Sequence, residues 1–452
     1  MFDAMVERFA QEAPVAVMVR GILERILGEE ALNQLYERAA ERQYTRELLF
    51  SSVFGLMNLV VCKIYPSLHA AYQRNQQAIG VSITAVYDKL SGIDTCTSRA
   101  LVRETAQEMG EAVRAMKACC VPWLPGYRVK VLDGNCIEAS EHRLGVLRTV
   151  AGGALPGKSL VVYEPQLQMA TDVIPCEDGH AQERSLLGEV LGTLAARDLL
   201  VMDRNFCVRE FLLGIAALGA CFIGRQHKGL AWEAEGKERL VGRGESGAVY
   251  AQWVRIGRPD GSALRCRRIR IALKTPTRDG DTELALLTNL SRSGADARQI
   301  AELYRKRWSI ETAFQELEGH LHSEINALGY PKAALFAFCV ALVAYNVLAL
   351  VKAALRSVHG EQKIANEVSG YYLAGDLERT YHGMMIAIPK QAWEHFQTMS
   401  MRAFVETLHK LAHNVDLAHF KKHKRGPKKS SSKRIRDRSR PHVSTKKLLK
   451  GE

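Results

Sequence analysis

The residues in this 452-residue chain whose types and spacing could do chemistry are three acids, an arginine and a tyrosine. Asp133 closes the run Arg-Val-Lys-Val-Leu-Asp, and Asp203 closes Leu-Leu-Val-Met-Asp. Each run reads as a short strand that ends on an acid. The third acid, Glu311, lies in Tyr-Arg-Lys-Arg-Trp-Ser-Ile-Glu, where helical spacing puts Tyr304, Arg307 and Glu311 within about 60° of one another. Leu303, Ile310, Phe314, Leu317 and Leu321 form a separate apolar stripe. An ordinary amphipathic helix with a solvated charged face has the same pattern, and a single Asp at a strand end is usually a turn former. Three carboxylates meeting in a partly dry cleft would repel one another unless cations sat among them. Oxygen ligands suit Mg²⁺ or Mn²⁺, and two such ions about 4 Å apart can drive phosphodiester chemistry.

The elements that must position these groups follow from the texture of the chain. Residues 1–120 read as mostly helical, and 76–87 match either a helix-turn-helix or an ordinary helical hairpin. From residue 127 strands appear, at 128–133, 159–164 and 168–175. A helix at 180–196, a strand at 199–203, a helix at 208–218 and a strand at 221–224 follow. That order predicts an α/β ribonuclease-H-like core over 121–355, completed by one helix carrying Tyr304 and Glu311. Residues 228–290 read as a β-rich insertion with turns at Pro259-Asp260-Gly261 and Asp279-Gly280-Asp281. Residues 356–420 read as helical, and 421–452 as a basic, disordered tail.

Charge supports this division. The net charge is +13. Residues 421–450 hold 14 Lys and Arg against one acid, leaving the remainder balanced at 48 bases and 48 acids. Ten cysteines without a CxxC pair fit reduced thiols, and the N-terminus has early acids and no apolar signal core. Both point to a cytoplasmic protein. Residues 333–351 are apolar except for Asn346 and predict a buried core helix rather than a membrane span. Gly152 to Ser159 matches the phosphate-loop pattern GxxxxGK[ST], but a strand-like stretch follows where a phosphate loop needs a helix, so nucleotide hydrolysis is excluded.

Together these residues resemble the DDE transposases of the insertion sequence 4 family. The likeness rests on Leu132-Asp133-Gly134, on Asp203-Arg204-Asn205-Phe206, on Tyr304, Arg307 and Glu311 of the Tyr-Arg-Glu-Lys signature, and on Pro156 to Tyr163 (Pro-Gly-Lys-Ser-Leu-Val-Val-Tyr). It covers roughly residues 120–350. It implies Asp133, Asp203 and Glu311 as catalytic ligands of two Mg²⁺ (or Mn²⁺) ions. It also implies Tyr304, Arg307, Arg204 and Lys158 as DNA contacts. The expected partners are double-stranded DNA, as terminal inverted repeats and target, and a second copy of the chain. The helical N-terminus would read the repeats. The signature lysine falls on Glu318, so that role is lost or passes to Lys306, Arg305 or the tail. Trp232 and Trp253 could stack an extruded base, although a strand Trp is more often core. Two alternatives stay open: a decayed or domesticated copy that binds DNA without cutting it, and a nuclease that cleaves without joining.

Overall fold

A computed structural model describes residues 4–41, 47–137, 144–148, 154–257, 260–277, 280–325, 327–423 and 443–451. Seven helices open the chain: α1 (Ala4–Glu12), α2 (Pro14–Ile26), α3 (Glu29–Ala39), α4 (Phe50–Val61), α5 (Leu68–Ile79), α6 (Ile83–Gly92) and α7 (Thr95–Ala115). Their ends follow local chemistry. The side chains of Ser67, Ser82 and Asp94 cap α5, α6 and α7, and Gly80, at φ 70°, ends α5 in the left-handed region. α2 and α3 are parted at Leu27 and Gly28.

Strands β1 (Arg128–Ile137), β2 (Ala154–Leu155), β3 (Gly157–Glu164), β4 (Met169–Cys176), β5 (Asp198–Met202) and β6 (Cys221–Arg225) follow, with α8 (Leu187–Leu191) and α9 (Arg209–Ala217). Then come β7 (Glu233–Arg243), β8 (Gly247–Gly257), β9 (Ala263–Leu273) and β10 (Glu283–Thr288). Nine strands form one sheet in the order β4-β3-β1-β5-β6-β10-β9-β8-β7. β1, β5 and β6 are parallel, and their outer neighbours are antiparallel. The β-rich region joins the central sheet: β10 pairs with β6, and β9, β8 and β7 extend the sheet beyond it. Residues 258–259 and 278–279, which include Pro259 and Asp279 of the expected turns, lie outside the described residues. The helix expected at 180–196 reduces to a 3-10 turn at Glu183–Leu186 and the short α8, because Gly188 and Gly192 weaken helix there.

A buried ion cluster fixes the register that matters most. Asp198, 2% exposed, takes hydrogen bonds from Arg128 Nε at 2.8 Å and Nη2 at 3.0 Å, and lies 2.9 Å from Lys130 Nζ. Burial alone would raise its pKa, but Arg128 and Lys130 hold it below the usual carboxylate range. This pins Arg128 opposite Asp198 and Leu132 opposite Met202, so that Asp133 and Asp203 come next on neighbouring strands.

The chain closes with α10 (Ala297–Arg305), α11 (Trp308–His320), α12 (Pro331–His359), α13 (Glu361–Glu367), α14 (Gly370–Ala387), α15 (Met401–His413), β11 (Val443–Ser444) and α16 (Thr445–Lys450). Residues 304–318 are not one helix. α10 stops at Arg305 and α11 starts at Trp308, across a turn of i→i−3 bonds at Arg307, Ser309 and Ile310. The apolar stripe is nonetheless buried, with Leu303, Ile310, Leu317 and Leu321 at 3% exposure or less.

α12 is apolar and long enough to cross a membrane, but its most apolar stretch is wholly buried inside the protein. A helix apolar all round needs cover on every side. α4, α7, α15 and β4 supply it. Asn346, the polar exception, accepts from Ala170 N at 2.9 Å and donates to Ala170 O at 2.8 Å. It thereby satisfies the backbone of edge strand β4. One hydrophobic cluster takes in N-terminal, central and C-terminal helices, from Val6 to Phe420. The described end of the tail also differs from expectation. β11 pairs in parallel with β2, and Lys446 and Lys447 lie 3.9 Å and 3.7 Å from Glu177 and Asp178. Residues 424–442 of the tail lie outside the described residues.

Candidate active site

Alternation along the strands decides which way the aspartates face. Leu132, Leu200 and Met202 pack into one core. Val129, Val131, Leu199 and Val201 pack into another together with α10 and α11. Asp133 and Asp203 continue the second set, so both project toward α10 and α11. Asp133 is not at a strand end, since β1 runs on to Ile137 through its antiparallel pairing with β3. It lies one residue beyond the last pair with β5, where a parallel neighbour is lost.

Arg307 holds the acids together. Its Nη1 donates to Asp133 Oδ2 at 2.9 Å and its Nη2 to Glu311 Oε1 at 2.8 Å. Its side chain is 8% exposed, against 19% for Asp133 and 30% for Glu311. Charge-assisted bonds of this kind from a planar fork are strong and directional. Tyr304 donates its hydroxyl to Asp203 Oδ1 at 3.4 Å. The structure thus brings Asp133, Asp203, Glu311, Tyr304 and Arg307 together. Arg307, however, faces the carboxylates and not outward as a phosphate contact would, because two half-buried acids attract the nearest cation.

The electrostatics match this crowding. Burial pushes the Asp133 carboxyl up to about 6, with Glu311 and Asp203 adding to the rise and Arg307 and the Gly134 N–H opposing it. Burial also raises the Tyr304 hydroxyl, helped by the charge of Asp203. Burial works against the charge of Arg307, yet Asp133 and its fellow acids hold its pKa above the ordinary value. Arg307 Nε is buried without a hydrogen-bond partner among the described residues. As they stand, no three His, Cys, Asp or Glu side chains among the described residues are grouped to hold an ion. Asp133, Asp203 and Glu311 offer only oxygen donors, and their mutual repulsion suits a hard divalent cation.

Two features of the site had no signal in the sequence. Glu183, in the 3-10 turn before α8, accepts from Asn205 Nδ2 at 2.6 Å, and Arg184 Nε donates to Asn205 O at 2.8 Å. The Glu183 carboxylate also lies against Gly134, where a Cβ would collide with it. Glu183 therefore ties the residue after Asp133 to the turn after Asp203, from the opposite face of the sheet. The second feature is Arg225 on β6, whose charge reaches Tyr304 and whose Nη2 lies 2.5 Å from Asp281 Oδ2. Arg225, by its hydrogen bond and charge, and Arg204 and Lys228, by their charges, depress the Asp281 carboxyl.

Other expected residues sit elsewhere. Lys158 pairs in register with Cys136, on the face of the sheet opposite Asp133, and its buried amine donates to Ala181 O. It is a structural residue here, because a lysine 9% exposed must find an acceptor inside. Arg204 is exposed, next to Asp203. Glu318 is exposed on α11. Arg305 pairs with Glu245 at 2.6 Å and Glu302 at 2.8 Å, while Lys306 lies over Trp123 at 5.7 Å. Trp253 and Trp232 lie under Arg265 and Arg268 at 4.3 Å and 5.1 Å. The segment at Gly157–Glu164 is a strand, as its rejection as a phosphate loop requires.

Residues 125–347 match the family described as Transposase DDE domain. The chain is 26% identical over 244 residues to the putative transposase InsL for insertion sequence element IS186A of Escherichia coli (strain K12). It is likewise 26% identical over 244 residues to the transposase for insertion sequence element IS421 of Escherichia coli. Each match covers 47% of this chain and 61% of the relative. The chain is thus similar, over about half of its length, to transposase DDE domains, and it spans less than two thirds of the relatives it matches. Among solved structures, a cryo-EM structure of the piggyBac transposase synaptic complex with hairpin DNA aligns over 86% of each chain at 11% identity; at its TM-score of 0.37 this carries no argument.

Proposed function

We propose that this chain is a DNA transposase that cuts at the terminal inverted repeats of an insertion sequence and joins the freed end to target DNA. One observation carries the reading: two aspartates next in register on neighbouring parallel strands and a glutamate on the helix beneath them converge on one buried arginine. The half-sheet β4-β3-β1-β5-β6, antiparallel outside and parallel within, supports a ribonuclease-H-like core.

Asp133, Asp203 and Glu311 are the residues that would hold Mg²⁺ or Mn²⁺. Two such ions would neutralise the phosphodiester and acidify the attacking water. The chain's own groups do the rest. The Tyr304 hydroxyl orients Asp203, and Glu183 with Asn205 fixes the spacing of the two aspartate segments. Arg204, Arg225 and Lys228 attract the phosphate backbone, a salt-sensitive contribution independent of sequence. Cleavage breaks a P–O bond at the element's end and leaves a 3′-OH. Joining forms a P–O bond from that hydroxyl to a target phosphate and releases the target's own 3′ oxygen. Cutting two ends in concert calls for a homodimer on the DNA, acting in the cytoplasm at the nucleoid.

The exposed Glu318, in place of the signature lysine, favours a second reading, a copy that binds DNA and no longer cuts it. The two part in one experiment. Labelled duplex carrying the repeats that flank the gene is incubated with protein and a target plasmid, in Mg²⁺ and in EDTA. Mg²⁺-dependent cleavage with joined products is expected. Retarded but uncut DNA in both Mg²⁺ and Mn²⁺ would replace the transposase with the binding copy, and cleavage without joining would leave a nuclease.

A further inference from the structure

The position of Arg307 poses a question that the proposed reaction leaves open. The two oxygens it engages, Asp133 Oδ2 and Glu311 Oε1, belong to the carboxylates a divalent ion would need. An ion bound through these same two oxygens would have to displace the guanidinium. Arg307 Nε is buried with no hydrogen-bond partner among the described residues, so the guanidinium is not held by all of its donors where it lies. The backbone at Arg307 is no rigid helix interior either, since it occupies the tight turn between α10 and α11. Beside it the Trp308 ring, 60% exposed, lies 5.7 Å from the guanidinium and offers a cation–π resting place toward solvent.

We propose that Arg307 is an exchangeable internal counter-ion: a divalent cation displaces it from Asp133 and Glu311, and the freed guanidinium turns past Trp308 to take a phosphate of the DNA strand. This rests on the transposase reading and adds a coupling to it. The guanidinium shields the acids until an ion arrives, and the phosphate then keeps it from returning. By linkage, metal and DNA must strengthen each other's binding by the same factor. A fork with two donor edges suits both partners, since carboxylate and phosphate present the same paired oxygens.

The test is Mn²⁺ affinity of the full chain without DNA, read from the free-ion electron paramagnetic resonance signal, for wild type, Arg307→Lys and Arg307→Ala. Lysine keeps the charge but cannot bridge both carboxylates. The exchange therefore predicts that Arg307→Lys takes up Mn²⁺ several-fold more tightly than wild type, and Arg307→Ala about tenfold or more, within the usual range of site coupling. Fluorescence anisotropy at matched ionic strength gives the other half: Mn²⁺ should tighten DNA binding by wild type and not by Arg307→Ala. Should alanine fail to fold, as thermal melting would report, the lysine variant carries both measurements. The proposal is overturned if Arg307→Lys binds Mn²⁺ no better than wild type, which would reduce Arg307 to a simple charge, or if Mn²⁺ leaves wild-type DNA binding unchanged. A Mn²⁺ affinity indifferent to Glu311→Gln would instead bring down the metal-site reading beneath it.

Discussion

Gly134→Ala offers a severe test of how the aspartates are spaced. The residue sits in β1, between Asp133 and Asn135, with no left-handed backbone to complicate the change. A methyl group there runs into the Glu183 carboxylate. Two responses are available. If Glu183 stays, the strand must shift, and overpacking of this kind costs about 1–3 kcal/mol. If Glu183 swings away, Asn205 loses a 2.6 Å charge-assisted bond, at a cost of about 1.5–3 kcal/mol. Both routes predict a loss of about 1–3 kcal/mol in denaturant unfolding. Both also move the Asp203 turn relative to Asp133, and a misplacement of about 1 Å can cost on the order of 100-fold in rate. Glu183→Ala in the Gly134→Ala background removes the clash but not the lost tie to Asn205, so its stability should match that of Glu183→Ala alone and its cleavage should stay impaired. Non-additivity in that cycle would locate the contact. A Gly134→Ala protein as stable and as active as wild type would refute the reasoning, and so would Glu183→Ala with unchanged cleavage.

Other expectations follow from single residues. Asp133, at about 6 in the fold against an ordinary 3.8, binds a proton more readily folded than unfolded, so its contribution to stability falls as pH rises from about 4 to 6. Asp133→Asn should flatten the pH dependence of Tm in that window, and wild-type cleavage should fade as pH drops through about 6. Asn346→Ala strands the N–H and C=O of Ala170 in the core, at about 1–3 kcal/mol for each group, measurable by chemical denaturation. Arg204→Ala and Arg225→Ala should each lower the slope of log K for DNA against log salt by about 1. Lys158→Ala should lower Tm and leave that slope alone.

Local chemistry made part of this molecule legible in advance. The short apolar runs before Asp133 and Asp203 announce strands, and Asn346 did not disguise α12 as anything but a core helix. What stayed hidden depends on distant partners. Nothing local marks the break at Lys306 and Arg307, two good helix formers; it coincides with the bonds Arg307 makes to acids on two elements. Nothing in β7 to β10 says that β10 pairs with β6, because sheet neighbours are chosen across the fold. The shared core of N- and C-terminal helices is hidden for the same reason, as each helix shows an apolar face and not its partner. Glu183 was invisible as one acid within an expected helix, and a buried amine such as that of Lys158 looks like a phosphate-binding one in a sequence.

The most direct test of the central claim is Mg²⁺-dependent cleavage of repeat-bearing DNA by wild type and by Glu311→Gln, with DNA binding measured on the same samples. Glutamine keeps the size of the side chain and a hydrogen-bond acceptor for Arg307 while removing the charge. The account predicts that wild type cuts, that Glu311→Gln binds DNA as well and cuts at least about 100-fold more slowly, and that EDTA abolishes cleavage by both. Undiminished, Mg²⁺-dependent cleavage by Glu311→Gln would contradict it.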